Sequence, residues 1–152
     1  MTRLESVIDI QASREQVWEI LVDVERWPQW TPTVLSVQRD DSGPLSVGSR
    51  AHIRQPKIQP AWWEVTELAA PRNFTWISRS PGVLVTAGHV IEAVDRGSRL
   101  TLSLEFSGFL SFLVFPLIRG LSQSYIVTEA QKLKERSERQ ALPPAAASGR
   151  SS

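Results

Sequence analysis

The run from Phe106 to Arg136 limits the fold more than any other stretch of this chain, because it is apolar in its first half and amphipathic in its second. In the second half Ile118, Leu121, Ser122, Tyr125, Ile126, Ala130 and Leu133 recur at steps of three and four, with Gln123, Lys132, Lys134 and Arg136 between them. That spacing predicts a helix with one stripe against a core. Lys132, Lys134 and Arg136 suit its C-terminal end, where the helix dipole favours cations. The first half, Phe109 to Phe115, is apolar on every side, so it has to be covered all round or face a hydrophobic cavity. Pro116 either opens the helix at its first turn or kinks it. The expectation is a long C-terminal helix that closes one side of a pocket.

What precedes that helix reads as sheet. Thr2 to Gln11 alternates as a first strand, with Ser6, Ile8 and Ile10 on one side. Ser13 with Gln16 three residues on is a capping box, and Val17, Trp18, Leu21 and Val22 follow at helical spacing. Asp23 can cap a second short helix, which Trp27-Pro28 ends because the residue before a proline is pushed out of the helical region. From Thr33 onward strands alternate with turns: Val34 to Asp41, Val47 to Gln55, Trp62 to Ala69, Phe74 to Ile77 and Val83 to Val94, the last carrying Ala87, His89, Ile91 and Ala93 on one face. The final strand is the cleanest, with Leu100, Leu102, Leu104 and Phe106 inward and Arg99, Thr101, Ser103 and Glu105 outward, as in an antiparallel sheet with one wet face. Two short helices cannot cover the inner face of seven strands, so the long helix has to lie across it. Because twisted sheets curl, a cavity between sheet and helix is a natural result. The fold class is α+β, one domain over residues 1–138, followed by a disordered tail over 139–152.

Composition excludes several kinds of chemistry. With 152 residues the chain suffices for one domain that buries roughly two-thirds of its unfolded surface. A net charge of +1, with both signs scattered, gives no reason to expect nucleic acid. There is no cysteine, which removes disulfides, thiol catalysis and cysteine metal sites. Its two histidines lie on separate strands, so no metal-ligand spacing exists and no metal or cofactor is expected. The N-terminal residues lack the apolar core of a signal peptide, and Phe109 to Ile118 is about half the ~20 residues of a membrane span. A cytoplasmic location is the expectation.

Several stretches also carry a resemblance. Ala12 to Trp30, Gly43-Pro44-Leu45-Ser46-Val47-Gly48-Ser49-Arg50, Trp63-Glu64-Val65-Thr66-Glu67 and Gly97-Ser98-Arg99-Leu100-Thr101 resemble the SRPBCC superfamily of START domains and Bet v 1-like proteins, and within it the bacterial polyketide cyclase/dehydrase-type group. The likeness covers Thr2 to about Glu138. It implies a helix-grip fold, a seven-stranded curved antiparallel sheet wrapped around the long C-terminal helix, with a deep cavity for lipids, polyketides, steroids or other apolar molecules. It places the Trp27 to Trp30 loop, the turns around Pro56 and Pro81, and Phe109 to Ile118 at the mouth. Cyclase members use polar pocket residues, none of which maps onto a particular position here, so the fold is implied more sharply than the function.

The candidate site residues follow from their positions. His89 sits on the inner face and is either a proton donor or acceptor near neutral pH or a neutral core histidine. His52 shares a face with Arg50 and Arg54 and points to solvent. Tyr125 lies on the buried stripe of the long helix, where its hydroxyl needs a partner, and Glu129 follows one turn on as a candidate base or a solvated carboxylate. These three, His89, Tyr125 and Glu129, are the candidates for catalysis. Six tryptophans against one tyrosine and one methionine weight the lining toward aromatics. Trp27, Trp30, Trp63, Phe74, Trp76, Phe106, Phe112 and Phe115 are the candidate apolar ligand contacts, each with core packing as the alternative, with His89 and Tyr125 as the polar ones, and Trp27 and Trp30 read equally as a gate or a staple. Binding of a hydrophobic small molecule, as carrier or sensor, is the first functional expectation. A polyketide cyclase or dehydratase is the second, and an interaction module that docks a partner, a membrane or a second copy through the segment before Pro116 is the third.

Overall fold

A computed structural model describes residues 2–141. Along the chain come β1 (Thr2–Ile10), α1 (Arg14–Val22), a 3-10 helix (Val24–Gln29), β2 (Ser36–Arg39), β3 (Arg50–Arg54), β4 (Ala61–Ala69), β5 (Asn73–Ser80), β6 (Val83–Val94), β7 (Gly97–Ser107) and α2 (Ser111–Ala141). The strands form one antiparallel sheet in the order β1-β7-β6-β5-β4-β3-β2. Each strand from β2 to β6 neighbours its successor, and only β1 crosses to pair with β7.

Register converts the alternation of the sequence into two faces. Leu4 lies opposite Leu104, Ile8 opposite Leu100, Phe106 opposite Val85 and Ile91 opposite Leu100, so the apolar residues of β1, β6 and β7 meet on one side. Val65 and Trp76 continue that side across β4 and β5, as do Val37 and Ile53 across β2 and β3. Leu100, Ile91, Val65 and Phe74 are fully buried. Burial of each such side chain contributes about 1.5–3 kcal/mol. Ser103, an outward position by alternation, is buried as well, because it lies opposite Gly88 and its hydroxyl fills the space where a side chain on residue 88 would be.

α1 begins where the sequence placed it. Ser13 Oγ accepts from Gln16 N at 3.1 Å while Gln16 Oε1 accepts from Ser13 N at 2.8 Å, which completes the capping box. The 3-10 helix, expected to stop at Trp27, instead runs through Pro28 to Gln29. Trp30 N and Thr31 N both donate to the Trp27 carbonyl, so the turn closes over the proline without its missing N–H. Asp23 stands at its N-terminus but pairs with Arg26 at 3.1 Å rather than capping through its side chain.

α2 lies across the inner face, and its C-terminal half is tied to the end of β1. Lys134 Nζ donates to the Asp9 carbonyl at 3.1 Å, and Glu138 Oε2 accepts from Gln11 N at 2.8 Å. Ile126, Ala130 and Leu133 are its buried apolar positions, as the stripe required. Pro116 lies inside α2, after Ser111 has opened it, and the helix continues across it. The carbonyl of Phe112 loses an intrahelical partner to the proline, at a residue that is exposed and open to water. The helix reaches Ala141, three residues into the stretch expected as tail. The rest of that stretch lies outside the described residues. Among those described, no helix is long and apolar enough to cross a membrane.

Candidate functional site

Between the sheet and the first half of α2 lies a cavity of about 990 Å³. Its sheet wall is Ile53, Trp63, Trp76, Ala87, His89, Leu102, Leu104 and Phe106; α2 contributes Val114, Ile118, Ser122, Tyr125, Ile126 and Glu129. Trp27 and Val34 close one side, while Gln55 to Pro60 and Ser78 to Pro81 stand at the opening. It exists because α2 packs closely against β1 and β7 and stands away from β4 and β5. Four of the expected aromatic contacts, Trp27, Trp63, Trp76 and Phe106, line this space.

The other four stand elsewhere. Phe74 is fully buried beneath His89, its ring stacked on the imidazole at 4.1 Å with planes 8° apart. Phe115 packs edge-on against Phe106 at 5.2 Å, behind the wall. Trp30 is buried against Trp27 at 5.9 Å and borders a separate polar cleft with Glu19, Asp23, Arg26 and Arg136. Phe112 is exposed on the outer side of α2. The segment Phe109 to Phe115, apolar all round in sequence, is therefore covered on one side only.

Three polar groups stand out in the lining, beside Ser122 on α2 and Gln55, Lys57 and Arg79 at the opening. The first is His89, enclosed by Phe74, Trp27 and Trp76. Its Nδ1 lies 3.1 Å from the carbonyl of Phe74, its own cross-strand partner. A carbonyl can only accept, so Nδ1 carries the proton and Nε2 is left as an acceptor. Burial pushes the pKa down to about 4 against the smaller opposing effect of that carbonyl. The ring is thus neutral near pH 7 and can receive a hydrogen bond but not act as a cation.

Glu129 is the second. Thr33 Oγ1 donates to its Oε2 at 2.8 Å, Thr31 Oγ1 lies 2.9 Å from Thr33 Oγ1, and Gln55 Nε2 donates to the Thr33 carbonyl at 3.1 Å. Because the Thr33 hydroxyl gives its proton to Glu129, it must receive one from Thr31. Burial raises the carboxyl to about 7, and the Thr33 hydrogen bond only partly counters that. Glu129 is nevertheless only half-buried, because the cavity reaches it. Near neutral pH this group is divided between acid and base, the condition under which a carboxyl can do either job.

Tyr125, one turn before Glu129, is the third. Its hydroxyl donates to the carbonyl of Pro56 and so clamps α2 to the loop at the opening. Burial and the nearby Glu129 both raise its pKa. No hydrogen bond joins His89, Tyr125 and Glu129 to one another among the described residues; each is held by a different partner. Thr31, Thr33 and Gln55 were not singled out in the sequence. The contact that matters spans 96 residues, and the only local sign was Gln55 continuing the inward positions Ala51 and Ile53. The described residues contain no cluster of three or more histidine and carboxylate groups able to hold a metal.

A family model described as polyketide cyclase/dehydrase and lipid transport matches residues 1–138. No curated protein matches the chain by sequence. Among solved structures, the Zhui aromatase/cyclase from a Streptomyces species superposes with a TM-score of 0.76 at 15% identity, over 93% of this chain and 96% of that one. A START superfamily protein from Mycobacterium smegmatis gives 0.73 at 17% identity, over 91% and 98%. A protein from Thermus thermophilus gives 0.74 at 16%, over 93% and 100%. At such identities the likeness is one of fold.

Proposed function

Because this chain belongs to the polyketide cyclase/dehydrase and lipid transport family, we propose that it binds a hydrophobic small molecule in the cavity between the sheet and α2 and acts as its carrier. The observation that carries this reading is the lining: about 990 Å³ bounded mostly by aliphatic and aromatic side chains, with polar groups at separate points. Sites for small molecules commonly have this composition, a large apolar wall for affinity and a few polar groups for orientation. Neutral His89 would accept a ligand hydroxyl at Nε2, and Glu129 would meet a second hydroxyl or a carbonyl. Trp27, Trp63 and Trp76 would supply flat contact surface. A molecule with an apolar, flat body and more than one oxygen matches this lining better than a plain alkyl chain.

Organic-solvent extraction of the purified protein followed by mass spectrometry tests the carrier reading. A co-purifying apolar compound in stoichiometric amount supports it. An empty protein that also fails to bind fatty acids, steroids and aromatic polyketides contradicts it.

One observation favours a second reading, a cyclase. Glu129 titrates near neutrality, and intramolecular aldol closure needs a group that takes a proton from the attacking carbon and returns one to the carbonyl oxygen. Incubation with a short poly-β-ketone thioester distinguishes the two. A cyclised product formed by the native protein and not by Glu129→Gln favours the enzyme; unchanged substrate with both favours the carrier.

A further inference from the structure

We infer that the end of the molecule around the cavity opening is a docking surface for anionic lipid bilayers, with the outer face of the start of α2 as the inserting element. Phe109, Phe112, Leu113 and Leu117 are exposed to 77%, 70%, 57% and 84%. In α2 itself Phe112, Leu113, Pro116 and Leu117 fall within ~140° of the helix circumference, while Val114 and Ile118 face the cavity from the other side. Large apolar side chains this exposed and this close together mark an interaction surface. The face is held rather than loose: Leu110 N donates to the Gly82 carbonyl at 2.9 Å, and Gly82, at a φ of 76°, has Leu110 where a Cβ would stand.

Charge selects the partner. The three segments at this end, residues 53–63, 76–85 and 106–128, contain Arg54, Lys57, Arg79 and Arg119 and no Asp or Glu. All four are exposed, and none forms an ion pair among the described residues. Elsewhere acids and bases are interspersed along the chain; at the neighbouring start of β1, Arg3 pairs with Glu5 and Glu105. An apolar face on an end of the molecule that carries unpaired cations is what an interfacial helix offers to acyl chains below a layer of anionic headgroups. The same face borders the cavity opening, so docking would set that opening against the bilayer. This inference does not depend on what the cavity holds.

Co-sedimentation of the full chain with phosphatidylcholine vesicles, with and without phosphatidylglycerol, tests it. The expected result is binding to the anionic vesicles at least tenfold stronger than to the neutral ones and weakened by salt, each basic residue contributing roughly fivefold. Phe112→Asp with Leu117→Asp should abolish it, and Lys57→Ser with Arg79→Ser should remove the preference for anionic lipid, both with unchanged circular dichroism. Failure to bind anionic vesicles overturns the inference, as does binding that survives the two aspartates. Light scattering decides the remaining occupant: a dimer dissociated by Leu117→Asp would mean a second copy covers this face, and would overturn the lipid assignment.

Discussion

Replacing Glu129 with Gln is expected to stabilise the protein at pH 8 and leave it nearly unchanged at pH 4. The native carboxyl is raised from 4.5 to about 7 by burial. Between those values the folded chain holds a proton that the unfolded chain has released, so stability falls as pH rises through this window and stays reduced above it. At about 1.4 kcal/mol for each pH unit of displacement, the loss is about 3 kcal/mol, smaller to the extent that cavity water reaches the carboxylate. A glutamine amide keeps the oxygen that accepts from Thr33 Oγ1 and cannot ionise. Urea unfolding of both proteins at pH 4, 6 and 8 measures the difference. It should be near zero at pH 4, grow through pH 6 and level off by pH 8, and a melting comparison at pH 8 should show a gain of about 6–12 °C. A difference that does not change with pH would refute the reasoning, because it would mean that Glu129 titrates alike in the folded and unfolded chain.

Other expectations are simpler. The His89 ring should stay neutral, its NMR signals unmoved from pH 7.5 to 5.5, since its pKa is pushed down to about 4. Unfolded histidine takes its proton below about 6.5, so His89 costs stability as pH falls from 6.5 toward 4, opposite in sign to Glu129; in Glu129→Gln that acid-side loss should appear undisguised in urea titrations. Ser13→Ala removes the hydroxyl that caps α1 and should cost about 1 kcal/mol in urea unfolding. Leu133→Ala, at a fully buried position of α2, should cost about 2–5 kcal/mol in the same assay.

The fold was legible because its signals are local. The alternation from Leu100 to Phe106, the Ser13 capping box and the stripe from Ile118 to Leu133 each fix an element within a short stretch of chain, and one sheet needing one cover leaves few ways to assemble them. The site was legible in part. His89 and Tyr125 announced themselves by standing on apolar faces, and Glu129 by following Tyr125 one turn later. Which partner holds each was not legible: Thr33 meets Glu129 and Pro56 meets Tyr125 only through the way α2 crosses the sheet. The run Phe109 to Phe115 misled for a related reason. Periodicity cannot tell a segment buried all round from one with an open apolar face, so Phe112 on the outside and Phe115 behind the wall look alike in sequence.

The central claim is a cavity that takes an apolar ligand, and tryptophan fluorescence tests it most directly, because Trp27, Trp63 and Trp76 line the space. The native protein and Ser122→Trp, which fills the cavity from α2, should be titrated side by side with fatty acids, steroids and aromatic polyketides. The account predicts saturable quenching or a spectral shift in the native protein, with affinity for the same ligand reduced at least tenfold in Ser122→Trp while both remain folded. A native protein that responds to none of these ligands, or a response that Ser122→Trp leaves intact, would contradict it.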